Sequence, residues 1–422
     1  MRTRNLMRWA VAAALLLAPD MASQAQLLPP VPPVPPVGDV IDDVGRVGRD
    51  VVNDATRAID NVRTSARELA SARLLRQREL VRAYPDLLEM TDLGPALRGE
   101  VIAIDPDATV LAAVEAAGFA RISEEAIEGL ELRAVTLRVP RGWSVDRALS
   151  RLRRIAPDGS FAANHLHDRS GAGGAATGAL AQGSGGGAAA VGMIDGGVAA
   201  HPALRGAVRQ QGFAQGAPRP SAHGTAVASL IAGQGAVRGA APGRPLLVAD
   251  VYGSDPGGGN AVALARALGW LAQQRVRVVT VSLVGPPNPL VERAVAQARG
   301  RGIHIVAAVG NDGPAAPPAY PASYPGVIAV TGVDARNRPL IEAGRARHLD
   351  YAAPGADMAA AAPDGRVAAV RGTSYAAPLV AGRLAGHLGA QNPIAALDSE
   401  ASPRGRGLGR GVICGACRTP LR

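Results

Sequence analysis

The sequence predicts a small α+β unit followed by an α/β domain that is built on a doubly wound, mostly parallel sheet. Over residues 188–395, apolar runs typical of strands alternate with helical patterns, which indicates a parallel sheet with helices on both faces. Residues 98–168 follow a β-α-β-β-α-β order, which is typical of a ferredoxin-like unit. A Gly/Ala/Ser-rich run at 169–187 separates the two and predicts a flexible linker.

Composition supports a folded protein with a basic surface. The chain has 422 residues, of which 47% are hydrophobic and 19% charged, and its net charge is +10. All 45 basic residues are arginine, a bias that genomic nucleotide composition explains. Aromatic residues are only 3%, and no arginine run or nucleic-acid motif is present, so we expect no nucleic-acid partner.

The N-terminus has the pattern of an export signal. Arg2, Arg4 and Arg8 precede an apolar stretch over 9–19, which is too short to span a bilayer. We expect a signal peptide over 1–25, cleaved after Ala25, and a periplasmic or secreted protein. The alternative is an uncleaved membrane anchor. Later apolar runs are too short for a membrane span, so we expect none in the mature chain.

Two further segments precede the α+β unit. Residues 26–40 are rich in proline and predict an extended spacer. Apolar residues recur at helical spacing over 41–82, with Arg and Asp between them, which predicts an amphipathic helical arm. We expect this arm to pack on its own protein; contact with an anionic membrane is the alternative.

Apolar periodicity places the elements of both units. In the first, it predicts strands at 99–104, 119–122, 130–139 and 161–166 and helices at 108–117 and 145–155. In the second, it predicts strands at 189–194, 246–251, 276–282, 304–308 and 327–330 and helices at 261–274, 289–299 and 374–388. Residues 396–422 form an Arg/Gly-rich tail, expected to pack on the surface. Its Cys414 and Cys417 favour a disulfide, because a lone CxxC cannot supply four metal ligands.

Four segments of the α/β domain carry candidate catalytic side chains. In chain order they are VGMIDGGV with Asp195, HGTAVASLIAG with His223, AAVGNDGP with Asn311, and GTSYAAPLVAG with Ser374. Taken singly, each has an ordinary structural explanation: a turn aspartate, a helix-start histidine, a loop asparagine and a helix N-cap serine.

Taken together, the four fit one reaction. A serine hydroxyl becomes a nucleophile when a histidine accepts its proton, and a carboxylate orients that histidine. An asparagine amide and a backbone N–H can stabilise the oxyanion that then forms. The set Asp195, His223, Asn311 and Ser374 therefore predicts nucleophilic catalysis on a carbonyl group.

The order of these segments resembles that of the subtilisin-like serine proteases (subtilases). The resemblance covers residues 188 to about 390, with the Ser374 segment its most specific part. It implies a serine endopeptidase that acts on polypeptides through an acyl-enzyme, with Asp195, His223 and Ser374 as the triad. It also implies an oxyanion hole of Asn311 and the Ser374 backbone. The implied substrate-binding residues are Ser282, Leu283, Gly310 and Ala319, with 281–283 as the strand edge that pairs with substrate.

The resemblance extends, more weakly, to residues 98–168, which are similar to the family's propeptide. It implies a self-processed zymogen whose own propeptide is a partner. Residues 26–185 carry 19 arginines and 22 acidic residues, a net charge of −3, whereas 186–395 carry 18 and 10, a net charge of +8. These opposite charges would assist docking.

Several positions refine these expectations. Gly196 stands where the family usually has Ser or Thr, and Tyr375 and Leu379 replace the commoner Met and His as packing residues. Ala319 predicts cleavage after small to medium apolar side chains, and by resemblance the Tyr320–Pro321 bond is expected to be cis. We expect no cofactor: many relatives bind calcium, but no clustered Asp/Asn loop is present.

Two other functions are compatible with parts of the sequence. The first is a protein that keeps the fold for binding without catalysis. The second is a binder of anionic surfaces that acts through its arginines.

Overall fold

The computed structural model describes residues 68–169, 178–183, 190–206 and 208–421. These residues lie in one compact unit, Asp60–Arg422. The predicted signal peptide 1–25, the spacer 26–40, most of the arm 41–82 and most of the linker 169–187 lie outside the described residues. Within the part of the chain that the structure describes, no helix is long and apolar enough to cross a membrane.

Residues 68–169, here called the N-terminal unit, form an α+β fold. Its elements are helix α1 (68–83), β1 (Leu88–Thr91), β2 (Gly94–Ile104), α2 (Ala108–Ala116), β3 (Ala120–Ile127), β4 (Leu132–Arg138), α3 (Val145–Ile155), β5 (Ser160–His165) and β6 (Asp168–Arg169). The antiparallel sheet has the order β1-β2-β4-β3, and β5 also pairs with β2. The strands β5, β2, β4 and β3 follow the order of a ferredoxin-like sheet, which begins earlier than the predicted boundary at 98.

Each face of this sheet is buried in a different core. Strand alternation sends Val101 and Ala103 to one face, where they pack with residues of α2 and α3. Ile102 and Ile104 point to the opposite face and join a core that contains the helices of the following unit. The N-terminal unit therefore buries one of its faces only by packing on the rest of the chain.

Residues 190–421, here called the C-terminal unit, are built on a seven-stranded sheet. Its elements are β7 (Val191–Asp195), β8 (Val208–Gly212), α4 (Ala222–Ala232), β9 (Leu246–Asp250), α5 (Ala261–Gln273), β10 (Val278–Val281), β11 (Leu283–Val284), α6 (Pro289–Gly300), β12 (His304–Ala308), β13 (Ile328–Val333), β14 (Tyr351–Pro354), β15 (Met358–Ala361), β16 (Val367–Val370), α7 (Ala377–Gly386) and α8 (Pro393–Glu400). The sheet order is β14-β13-β12-β10-β7-β9-β8, with parallel pairing throughout.

Helices cover both faces of this sheet, as the sequence predicts. The helices α5 and α6 pack on one face, and α4 and α7 pack on the other. Asparagine side chains begin α5 and α6: Asn260 accepts from the Ala263 amide, and Asn288 accepts from the amides of Leu290 and Val291. Such caps satisfy amides that the first helical turn leaves unpaired.

The structure differs from the predicted elements in several places, and the short elements β1, β6, β11 and α8 were not predicted. Strand β8 was not predicted, because its sequence VRQQG is polar and pairs on one side only. The alanine-rich strands β14, β15 and β16 were not predicted, because β14 and β15 contain no β-branched residue and β16 has valine only at its two ends. The predicted helix at 374–388 is divided into a 3-10 turn, Thr373–Tyr375, and α7, which begins only at Ala377.

The C-terminal tail packs on the edge of the sheet. Val412 forms a parallel bridge with Ala352 of β14, and the Ile413 amide donates to the Ala352 carbonyl. Cys414 and Cys417 form a disulfide next to this contact. The tail thereby covers the outer edge of β14.

Candidate active site

Asp195 and His223 form a buried pair at the carboxyl end of the central strand β7. Both side chains are fully buried. The His223 Nδ1 atom lies 2.9 Å from Oδ1 and 2.8 Å from Oδ2 of Asp195. Asp195 Oδ1 also accepts the Gly196 amide at 2.7 Å, so a backbone donor holds the carboxylate. This geometry orients the imidazole and directs Nε2 away from the carboxylate.

Helix α4 brings His223 to the carboxylate because its first turn lies tightly against the β7 loop. Ser221 caps the helix through the Gly224 amide, and its own amide donates to the Gly197 carbonyl. A Cβ atom at Gly224 would lie 2.3 Å from the Gly196 carbonyl oxygen. Any side chain at position 224 would push His223 away from Asp195.

Ser374 lies in the 3-10 turn before α7, within the same buried region. Its carbonyl accepts the Ser282 hydroxyl at 3.0 Å, which ties the turn to the end of β10. Among the described residues, neither Ser374 Oγ nor His223 Nε2 has a hydrogen-bond partner, although both atoms are buried. Each of these two atoms is thus left without a hydrogen bond to another described residue.

The Asn311 loop is fastened to the same turn. The Thr373 amide donates to Asn311 Oδ1 at 2.9 Å, and the Thr373 hydroxyl donates to the Gly310 carbonyl at 3.1 Å. Because the Asn311 oxygen is already used, its Nδ2 group is the end available to an oxyanion. Thr373 is a positioning residue that sequence reasoning missed, although its place just before Ser374 in the GTS motif could have indicated it.

The strand edge beside the site is occupied by the chain itself. Strand β11 pairs antiparallel with β6, with Leu283 opposite Arg169 and Val284 opposite Asp168. The pairing edge therefore lies at 283–284, one position beyond the predicted 281–283. The Ser282 side chain is buried and contacts Ser374.

The segment before β6 is held from its other side as well. The His167 amide donates to the Gly259 carbonyl, and the Tyr252 hydroxyl donates to the His167 carbonyl. Burial lowers the pKa of both His165 and His167 to about 4. Residues 166–167 therefore lie beside 259–260, and β6, which follows them, pairs with 283–284.

A cavity of about 120 Å³ lies beside the Asn311 loop, and both Gly310 and Ala319 line it. Arg73 and Leu93 of the N-terminal unit line it too. The peptide bond Tyr320–Pro321 next to it is cis, which confirms the expectation. Of the four predicted substrate-binding residues, Gly310 and Ala319 line this cavity, whereas Ser282 contacts Ser374 and Leu283 pairs with β6.

Comparison with known sequences identifies the family. The sequence profile of the subtilase family matches residues 186–401, about half of the chain. Subtilisin BL of Lederbergia lenta is 36% identical over 202 residues, which cover 46% of this chain and 73% of that protein. This chain belongs to the subtilase family. It is a serine-type endopeptidase, and its substrates are polypeptides.

A second relative and two solved structures agree with this membership. The major intracellular serine protease of Bacillus subtilis is 36% identical to this subtilase over 172 residues, covering 39% of this chain and 54% of that protein. Fervidolysin from Fervidobacterium pennivorans superposes with a TM-score of 0.63 at 19% identity, covering 79% of this chain and 63% of its own. The epidermin leader peptide processing serine protease of Staphylococcus aureus has a TM-score of 0.56 at 16% identity, with coverages of 75% and 97%. These likenesses confirm the predicted subtilisin-like α/β fold.

Helix α1 contacts the Asn311 loop of this subtilase, a contact that the sequence did not predict. Arg73 Nε lies 3.2 Å from Asp312 Oδ2, and Arg76 Nη2 lies 2.6 Å from Asp312 Oδ1. The Arg73 side chain is only 17% exposed. No local signal could have indicated this pairing, because the partners lie far apart in the sequence.

A resident metal ion needs several protein ligands close together. Within residues 68–169, 178–183, 190–206 and 208–421, no group of three His, Cys, Asp or Glu side chains is placed to hold one. The carboxylates near the site are engaged instead by arginines and backbone amides, as for Asp312 and Asp195.

Proposed function

We propose that Asp195, His223 and Ser374 are the catalytic triad of this endopeptidase, with Asn311 and the Ser374 amide as its oxyanion hole. The observation that carries the proposal is the Asp195–His223 contact of 2.8 Å beside a buried Ser374 hydroxyl that has no partner among the described residues. A carboxylate on Nδ1 fixes the tautomer in which Nε2 can accept a proton.

In the first step, Ser374 Oγ forms a bond to the carbonyl carbon of the substrate, and its proton passes to His223 Nε2. The carbonyl oxygen becomes an oxyanion, which Asn311 Nδ2 and the Ser374 amide stabilise. Removing one such donor typically lowers the rate by about 10²–10³-fold. Thr373 keeps Asn311 in place through its amide.

In the second step, the C–N bond breaks and the His223 imidazolium returns its proton to the departing amine. Water then attacks the acyl-enzyme, giving its proton to His223, and Ser374 leaves with that proton restored. Asp195 stabilises the imidazolium in both halves of the reaction without taking up a proton itself.

A fluorophosphonate probe tests these roles. We expect covalent labelling of the mature protein on Ser374, loss of labelling in Ser374→Ala, and labelling reduced by at least about 10³-fold in His223→Ala. Thr225→Ser, a conservative change on the same helix, is the control and should keep most of the labelling. Labelling that persists in Ser374→Ala would refute the assignment of the nucleophile.

We also propose that the N-terminal unit is the propeptide of a zymogen. The support is that β6 lies along the strand edge at 283–284, where an extended substrate would add a strand. While that pairing persists, a polypeptide cannot use the same backbone groups. Cleavage within the linker that follows Arg169 would cut β6 away from the C-terminal unit.

Charge supports the docking of this propeptide. Three arginines of the C-terminal unit contact acidic groups of the N-terminal unit at 2.8–3.1 Å: Arg266 with Glu125, Arg293 with Asp105, and Arg301 with Glu131. These exposed pairs contribute orientation and association rate more than affinity. The signs of these pairs agree with the net charges of the two segments, −3 over 26–185 and +8 over 186–395.

Self-processing is tested in a purified system. We expect wild type to be cut between about 164 and 188, and Ser374→Ala to stay full length after removal of the signal peptide. Mixing the mutant with active enzyme separates cutting within one molecule from cutting between molecules. Identical cleavage of purified Ser374→Ala on its own would show that another protease does the processing.

We further propose that the protein is exported and prefers small to medium apolar side chains at the cleaved position. The N-terminal signal pattern supports export. The methyl group of Ala319 in the cavity supports the preference. Cleavage after Arg as readily as after Ala or Leu in a peptide library would overturn the preference. N-terminal sequencing of the native protein tests export.

A further inference from the structure

Tyr375 lies directly against the imidazole of His223. It follows Ser374 in the 3-10 turn, and its side chain is only 4% exposed. The two ring centroids are 5.3 Å apart, and the planes are inclined by 47°. This separation is within the range in which aromatic rings attract one another.

The contact with Tyr375 restricts a motion of the His223 ring that the hydrogen bond to Asp195 leaves free. The bond from Nδ1 to Asp195 fixes one edge of the imidazole. It does not fix the tilt of the ring about that edge, and Nε2 has no partner among the described residues. A rigid ring packed beside the imidazole, with its plane inclined by 47°, restricts that tilt, because a close-packed neighbour leaves little free space.

We propose that Tyr375 is a positioning residue for His223: its ring sets the tilt of the imidazole toward Ser374 and stabilises the imidazolium formed during catalysis. The attraction between a cation and the face of an aromatic ring acts within about 6 Å of the ring centroid. This inference rests on the proposed role of His223 as general base. It assigns a function to a residue that the sequence indicated only as packing.

The effect on His223 comes from the aromatic ring of Tyr375 and not from its hydroxyl group. Asp195, at the end of β7, and Tyr375, in the turn before α7, are the titratable groups that face His223 among the described contacts. Burial, with a smaller contribution from the Asp195 charge, raises the pKa of Tyr375 to about 12. The phenol therefore stays neutral throughout the working range and does not titrate with His223.

Three substitutions in the mature enzyme test the proposal. Tyr375→Phe keeps the ring, so kcat should stay within about 2-fold. Tyr375→Met and Tyr375→Leu keep apolar volume without an aromatic face, so kcat should fall about 5- to 10-fold with little change in KM. Leu379→Ala, in the same buried core but on α7, is the control: it should lower Tm without changing the pH profile.

The deciding measurement is the His223 pKa, from the acid limb of kcat/KM and from an NMR titration of the imidazole. In Tyr375→Met and Tyr375→Leu it should fall by about 0.5–1 unit, because the imidazolium loses a favourable neighbour. An unchanged His223 pKa in both variants, or a Phe variant as impaired as the Met variant, would overturn the proposal. The NMR titration needs no turnover, so it tests Tyr375 even if fluorophosphonate labelling were to refute the proposed triad.

Discussion

The N-terminal unit contacts the C-terminal unit in two regions of different construction. Its sheet face is broad and apolar, with Ile102 and Ile104 in one core with α5 and α6. There the backbones also meet closely, since a Cβ atom at Gly269 would lie 2.6 Å from the Glu128 carbonyl oxygen. The contact at the active site is narrow and polar: the two residue pairs of β6 and β11, and two arginines on Asp312.

We infer that the two regions have different roles: the sheet face provides the affinity between the units, and the narrow region provides the inhibition. Apolar burial stabilises the sheet face by roughly 25 cal/mol per Å² of apolar area, whereas partly exposed ion pairs contribute at most about 1 kcal/mol each. The sheet face should therefore hold the two units together, while the narrow region blocks the site. A cut beyond Arg169 would free the blocking strand and leave the sheet face docked, so release would be a separate, slower step.

The largest effect should come from breaking the sheet face. In the uncut Ser374→Ala chain, Ile102→Asp would bury an unpaired carboxylate and cost more than about 3 kcal/mol. Hydrogen exchange of the β2–β5 amides should then rise strongly. Ile122→Asp is the matched control, because that side chain is 40% exposed; equal exchange in the two variants would contradict the comparison.

The second largest effect should come from acidification. It should weaken the docking of residues 166–169, here called the blocking segment. The folded pKa of His167 is about 4, whereas a released histidine has its ordinary value near 6.5. Docking is therefore fully effective above about pH 6.5, weakens as pH falls through this window, and loses this contribution below about pH 4. At pH 5 the loss is about 2 kcal/mol, so amide exchange at 283–284 should rise.

His167→Gln isolates the source of that pH response. The amide side chain does not titrate, so the rise in exchange between pH 7 and pH 5 should shrink markedly in this variant. His348→Gln, which changes a histidine far from the blocking segment, should keep the wild-type response. A response of unchanged size in His167→Gln would assign the effect to other groups.

A smaller effect is expected from the α1 contact. Replacing both Arg73 and Arg76 with alanine should weaken the contact with Asp312 by about 1 kcal/mol, because partly exposed pairs are screened. In the Ser374→Ala chain, exchange of the amides in 68–83 should rise several-fold, and the difference should shrink at high salt. Arg78→Ala, an exposed position on the same helix, should change little; an equal rise there would disprove a specific contact.

The smallest effect should be that of chelation. Both contact regions consist of protein groups, and we propose, from the sequence, that the protein needs no cofactor. Excess EDTA should therefore leave Tm and peptidase activity within experimental error. A Tm that falls with EDTA and recovers with calcium would reveal a binding site and overturn that proposal.

Much of the fold follows from local sequence signals. The apolar run His304–Ala308 coincides with β12, and the helix predicted at 145–155 coincides with α3. The apolar run of β12 and the helical periodicity of α3 are both visible within a few residues of sequence. Strand β14 does not, because Tyr351–Pro354 becomes a strand only by pairing with β13 and by being covered by the tail around Val412.

The sequence by itself determined the order of Asp195, His223, Asn311 and Ser374 in the chain, because motifs and periodicity are local properties. Only the tertiary structure decided which atoms meet. It placed Tyr375 against His223, Thr373 on the Asn311 loop, Arg73 on Asp312 and β6 along β11. These contacts join residues distant in the chain, and such proximity depends on how sheets and helices pack rather than on any single segment.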